Sequence, residues 1–137
     1  MWNVNLWAVL ASAVASMVIG SIWYGPLFGK KFMVAIGMDK WTPEQKAAEM
    51  KKMWVSYALQ LLASLVMFYV LAGIIAGFGH LTAGGGIMTA LIMWAGFVVP
   101  VKLGEALWGG KKTLFLLGTF NMLVTLLAAG AILGAWN

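Results

Sequence analysis

The sequence predicts an all-α membrane protein, with four transmembrane helices forming one domain over residues 1–137. Three observations carry this reading. The chain is 63% hydrophobic and only 9% charged, whereas a soluble domain usually carries about 25% charged residues. The few charges are segregated, leaving apolar runs at about 4–24, 54–78, 87–108 and 113–136. Each run is long enough to carry a helix across a bilayer core, which takes roughly 20 apolar residues.

Composition also excludes several chemistries. With Cys 0 there is no disulfide, thiolate nucleophile or cysteine-held metal centre. The one histidine, His80, cannot build a multi-histidine site, so neither a metal nor a cofactor is expected. No nucleophile–base pair stands out, and an enzyme is not expected. A net charge of +5 could point to nucleic acid. Arginine is absent, however, and the lysines flank the apolar runs, so nucleic-acid binding is not expected.

Taken in order, the first span has no lysine before it and its positive residues follow it, which is unlike a cleavable signal. Ala8, Ser12, Ser16 and Gly20 recur every fourth residue along one face, a ladder of small side chains suited to close helix packing. Between the first two spans, Leu27, Phe28, Phe32, Met33 and Ile36 interleave with Lys30, Lys31 and glycines. That pattern suits a short interfacial helix in the first cytoplasmic loop. Anchoring to membrane lipids is its simplest role; docking of a protein partner on residues 25–53 is the alternative. Thr42-Pro43-Glu44-Gln45 then reads as a helix start, with Thr42 and Gln45 spaced for a capping box and Pro43 at the first helical position. The second span therefore begins as an extension near Pro43.

Polar groups follow at lipid depth. Ser56, Gln60 and Ser64 share one face of the second span, and Asn121 and Thr125 share one face of the fourth, a turn beyond Gly118. An amide facing hydrocarbon leaves donors and acceptors unmade, so both faces are expected to point into the bundle. Interhelical bonds there are worth about 0.6–2 kcal/mol each. Gly73 with Gly77, and Gly130 with Gly134, are further close-packing pairs, and together with the first-span ladder they make a homo-oligomer the expected assembly. In the third span Pro100 removes an amide and frees the carbonyl of Gly96, which predicts a kink. Beyond it Lys102 and Glu105 stand three residues apart on one face. A charge at mid-membrane costs about 2.5–3.5 kcal/mol on insertion scales, so the two either pair structurally or form a site for a solute, ion or headgroup.

Lysines set the orientation. Lys30, Lys31, Lys40, Lys46, Lys51 and Lys52 follow the first span, and Lys111 and Lys112 follow the third. The positive-inside rule puts both loops in the cytoplasm and both termini outside. Tryptophans agree, with Trp2, Trp7 and Trp136 near one boundary and Trp23, Trp54 and Trp108 near the other.

The halves of the chain also echo each other. Gly20 to Trp23, Gly25 and Lys30-Lys31 are matched by Gly104 to Trp108, Gly110 and Lys111-Lys112. Gln60 and Ser64 fall beside Asn121 and Thr125. This predicts two parallel helical-hairpin repeats related by an axis along the membrane normal.

Gly20 to Lys31, G-S-I-W-Y-G-P-L-F-G-K-K, resembles the G-x-x-W-Y-x-P signature, followed by F-G-K, of small bacterial membrane proteins catalogued as domain of unknown function 1761. Trp94-Ala95-Gly96-Phe97, Pro100, Leu107-Trp108, Leu114-Phe115-Leu116 and Asn121 resemble the second half of that family. The resemblance implies four spans in a bacterial cytoplasmic (inner) membrane and supplies no activity or ligand. Two readings of function stand at this point. One is a transport or permeation protein built around Lys102, Glu105, Gln60, Ser64, Asn121 and Thr125. The other is a structural or accessory subunit in which those groups serve only helix packing.

Overall fold

The computed structural model describes residues 4–79 and 81–136; Trp2, His80 and Asn137 lie outside the described residues. The described chain is helical throughout: α1 (Leu6–Ile22), α2 (Gly29–Ala35), α3 (Pro43–Gly77), α4 (Ala83–Met93), α5 (Val99–Leu107) and α6 (Lys112–Ala135). Four stretches are long and apolar enough to cross a membrane: Leu6–Leu27, Pro43–Gly77, Ala83–Leu107 and Lys112–Ala135. They coincide with the four apolar runs of the sequence.

Local chemistry starts and stops these helices. Asn5 caps α1 by accepting from the Trp7 amide at 3.0 Å, and its side-chain amide donates to the Trp136 carbonyl at 2.7 Å. That second bond ties the start of the first span to the end of the last. Thr42 and Gln45 make both bonds of the capping box, at 3.2 and 2.9 Å. Thr82 caps α4 by accepting from Gly85 at 2.9 Å. Gly37, at φ 80°, turns the chain out of α2, a left-handed conformation that favours glycine.

Two spans contain a widened turn rather than a continuous α-helix. In the first, Trp23–Leu27 is π-helical and the Phe28 amide reaches back five residues to the Trp23 carbonyl at 2.9 Å. Gly25 leaves helical geometry there (φ −107°, ψ −105°) and Pro26 follows. In the second, Trp94–Val98 is π-helical and the Val99 amide bonds the Trp94 carbonyl. The irregularity expected at Gly96 therefore takes the form of a π turn spanning that residue, with Pro100 in the first turn of α5. Adding a residue to the turn absorbs the missing proline amide.

Helix α6 is the hub, packing against α1, α2, α3, α4 and α5. The core lies toward the end that holds Asn5, the turn after Phe78 and Trp136. Ala8, Val9 and Ala13 meet Phe68, Leu71, Ala72 and Ile75 there, with Ala90, Ala129 and Leu133 opposite. We call this the turn end, and the opposite one the lysine end. Small residues make the turn end tight. A methyl group built on Gly130 would lie 2.8 Å from the Ala90 Cβ and against the Gly86 carbonyl, and one on Gly134 would lie 3.1 Å from the Gly86 Cα. The Gly130–Gly134 pair thus seats α6 directly on the backbone of α4.

Other small-residue faces behave differently from expectation. Ala8 and Ser12 are buried, but Ser16 and Gly20 are only partly so, and nothing approaches a methyl built on Gly20. The ladder is an interface for its first half only, because α1 diverges from its neighbours toward the lysine end. Gly73 is buried whereas Gly77 is exposed with open space around it.

The larger departure concerns α3. Every residue from Thr42 to Gln60 is exposed, and the first buried side chain is Ser64. At 1.5 Å per residue the helix is roughly 52 Å long, and its N-terminal half stands clear of the bundle. The bundle is closed at the turn end and splayed at the lysine end.

Candidate functional site

Where the helices splay, aromatic side chains from the first and third spans bridge to α6. The Trp23 indole donates to the Leu117 carbonyl at 3.0 Å, and the Trp94 indole donates to the Thr119 carbonyl at 2.8 Å. Each tryptophan opens one of the two π turns. Extra carbonyl capacity on α6, one lone pair beyond its own helical bond, makes these cross-helix bonds available.

Beside Trp23, the next residue, Tyr24, helps enclose a cavity of about 300 Å³ between the first span, α2, α5 and α6. Phe32 of α2 packs on Tyr24 with ring centroids 4.7 Å apart and forms its side wall. Lys102 and Glu105 line it from α5, and Leu114 and Gly118 from α6. The Lys102 ammonium lies 3.9 Å from the place a Gly118 methyl would occupy, and the Tyr24 hydroxyl lies 4.0 Å from the same place. The lysine head and the phenol thus converge on α6 beside Gly118, each at ordinary van der Waals range of that point.

The spacing of Lys102 and Glu105 does bring them together, with Nζ 3.7 Å from Oε2. Their side chains are 37% and 63% exposed, so the contact sits at the mouth of the cavity rather than in a sealed interior. An ion pair this open and this long contributes little, about 0–1 kcal/mol. Lys102 is consequently available to a second anionic group.

Gly118, Asn121 and Thr125 follow at spacings of three and four along α6 and share one face. The Asn121 amide nitrogen and the Thr125 hydroxyl are buried with no hydrogen-bond partner among the described residues, as is the Thr119 hydroxyl. Each such group costs about 1–3 kcal/mol in lost solvation. A face with two unmet polar groups therefore runs from the Lys102 cavity toward the closed end.

Gln60 is not part of this constellation. It is exposed, and its side-chain nitrogen reaches only the Ser64 hydroxyl on its own helix, at 3.4 Å. The expectation that both amides face inward holds for Asn121, which is half-buried, and not for Gln60. Ser56, Gln60 and Ser64 do share a face, but α3 enters the bundle only at Ser64, so the face is buried only there.

A family model described as a protein of unknown function, DUF1761, matches residues 7–134. The chain belongs to the DUF1761 family. Among curated proteins and among solved structures nothing matches it. In this DUF1761 chain the G-S-I-W-Y-G-P segment and Trp94-Ala95-Gly96-Phe97 are the two π turns and their indole bridges. The first of these motifs supplies Tyr24 to the wall of the Lys102 cavity; the second contributes none of its lining.

Three participants escaped sequence reasoning. Tyr24 was legible only as part of a motif, and its role depends on α2 folding back over it. Gly86 lies in a glycine-rich turn that reads as a loop, yet it is four residues before Ala90, and the pair makes the α4 side of the tight crossing. Gly118 is legible by its place on the face of Asn121, while the gathering of Lys102 and Tyr24 beside it is not.

Proposed function

We propose that this chain is a non-enzymatic, multi-pass protein of a bacterial cytoplasmic membrane, with both termini outside. In this reading it binds a small polar or anionic solute that enters from the lysine end. Lys102 supplies the charge at the entrance, with the Tyr24 hydroxyl beside it. Asn121 and Thr125 continue the polar face inward. The observation that carries this is the buried, unpartnered Asn121 nitrogen and Thr125 hydroxyl in line with the Lys102 cavity. Groups that served only as glue between helices would bond across the helices, as the two indoles do.

The chain contains no cysteine, so accessibility can be read without background. Asn121→Cys and Thr125→Cys, in membranes opened to the lysine-loop side, should react with a small cationic methanethiosulfonate. Leu133→Cys, fully buried at the turn end, should not. Inert cysteines at both 121 and 125 would refute the solute route.

A second reading is supported by α3. Its N-terminal half carries Trp54 and Leu59, 71% and 61% exposed, beside an amide at Gln60 that is exposed where α3 stands clear of the bundle. A homo-oligomer, or a structural subunit docked on this half and on residues 25–53, would give that amide partners. Gln60→Cys should then form a disulfide between copies in the membrane. Crosslinking at 60 together with inert cysteines at 121 and 125 would favour the structural role.

A further inference from the structure

A second, larger cavity lies on the other side of α6, apart from the Lys102 site. It measures about 770 Å³ and is walled by Trp23 and Phe28 from the first span's exit, with Leu116, Leu117 and Phe120 from α6. Val34 and Ala35 close it from α2, and Thr113 stands at its lysine-end margin. The floor is rigid: the Trp23 and Phe28 rings are 4.7 Å apart, and the Trp23 indole is fixed to the Leu117 carbonyl at 3.0 Å. Two cations complete the lining, Lys30 and Lys31, both exposed on α2. The Lys31 ammonium lies 5.9 Å from the Phe28 ring centroid.

This lining has two chemistries in one space: an apolar trough and a pair of ammonium groups at the end where the chain's lysines gather. A soluble anion would meet the ammoniums but leave the trough unfilled. A second copy of the chain brings a net charge of +5 toward two lysines. A zwitterionic lipid fills the trough but carries its own ammonium to the same place. We infer that this groove is a binding site for an anionic phospholipid, with an acyl chain along Trp23, Leu116 and Phe120 and the phosphate between Lys30 and Lys31. Basic pockets between membrane helices on the lysine-rich side recognise lipid headgroups in this way, and a volume of this size falls within the range of ligand sites, about 300–1,000 Å³. The site shares α6, α2 and the first span's exit with the Lys102 cavity but no lining residue, and does not depend on it.

The test uses the full chain in a mild nonionic detergent, with bound lipid counted by native mass spectrometry during titration with phosphatidylglycerol or phosphatidylcholine. The wild type should retain phosphatidylglycerol in preference to phosphatidylcholine. Lys30→Gln with Lys31→Gln should weaken phosphatidylglycerol roughly 10- to 30-fold, the scale of two lysine–headgroup attractions, and leave phosphatidylcholine unchanged. Lys51→Gln with Lys52→Gln removes the same charge from the free half of α3 and should change neither. Val34→Trp, which fills the trough while keeping both lysines, should lower retention of phosphatidylglycerol and so gives an answer even if the double lysine variant folds poorly. Equal retention of the two lipids by the wild type would overturn the inference. So would an equal loss in the Lys51/Lys52 variant, which marks general attraction, or competition by glycerol phosphate as effective as the lipid, which marks a soluble-anion site. An Asn121→Ala variant should keep its lipid, so failure of the solute reading leaves this result standing.

Discussion

Replacing Gly86 by alanine tests whether the α4–α6 crossing holds the bundle together. The added methyl would press on the Gly130 carbonyl group, 2.8 Å from its carbon, and lie 3.1 Å from the Gly134 Cα. Carbon atoms settle at about 3.5–4.0 Å. Both neighbours are backbone, so no rotamer change relieves the overlap and the helices must part by about 1 Å. A gap of that size forfeits roughly a quarter to a half of each contact's attraction. The contacts at stake include Ala90, Ala129 and Leu133, which are essentially fully buried. Overpacking of this kind costs about 1–3 kcal/mol, and backbone neighbours place Gly86→Ala at the upper end. Gly20→Ala is the control, since nothing lies within 4 Å of its added methyl and alanine favours a helix over glycine by up to ~1 kcal/mol. Thermal unfolding in detergent, followed by circular dichroism, should place Gly86→Ala below wild type by roughly 6–15 °C, taking roughly 3–5 °C per kcal/mol for a chain of this length. Gly20→Ala should melt at or above wild type. A Gly86→Ala protein as stable as Gly20→Ala would refute the claim that glycine is required at the crossing.

Two further outcomes follow from the same geometry. A double-mutant cycle on Lys102→Met and Glu105→Gln should give a coupling below about 1 kcal/mol in detergent stability, because the contact is long and open; a coupling of several kcal/mol would mean a sealed pair. In intact cells, Leu81→Cys should react with an impermeant maleimide from outside while Lys46→Cys stays protected, and the reverse pattern would overturn the orientation expected from the lysines.

What the sequence makes legible here is what neighbours in the chain decide. The four spans follow from apolar length, and the start of α3 follows from Thr42, Pro43 and Gln45, whose interactions close within four residues. The close-packing pairs were legible as faces and not as partners. Gly73–Gly77 and Gly130–Gly134 have the same spacing, yet only the second meets another backbone along its full length. Spacing fixes which side of a helix is small; the crossing point fixes whether anything fills it. Gln60 failed for the same reason, since burial on α3 begins one turn later. The cavity wall was out of reach because the Trp23–Leu117 bond joins residues 94 apart and depends on α2 folding back against α6.

The 35-residue α3 has a mechanical consequence. It is gripped only from Leu61 onward, so the stretch back to Pro43 is a cantilever of about 27 Å. A rotation of roughly 10° about that grip sweeps its tip through about 5 Å at this arm length. The tip is leashed to α2 by residues 36–42, and α2 contributes a wall to each cavity, Phe32 to one and Val34 with Ala35 to the other. Once the slack of that leash is taken up, a force applied to the tip of α3 is delivered to both cavities at once.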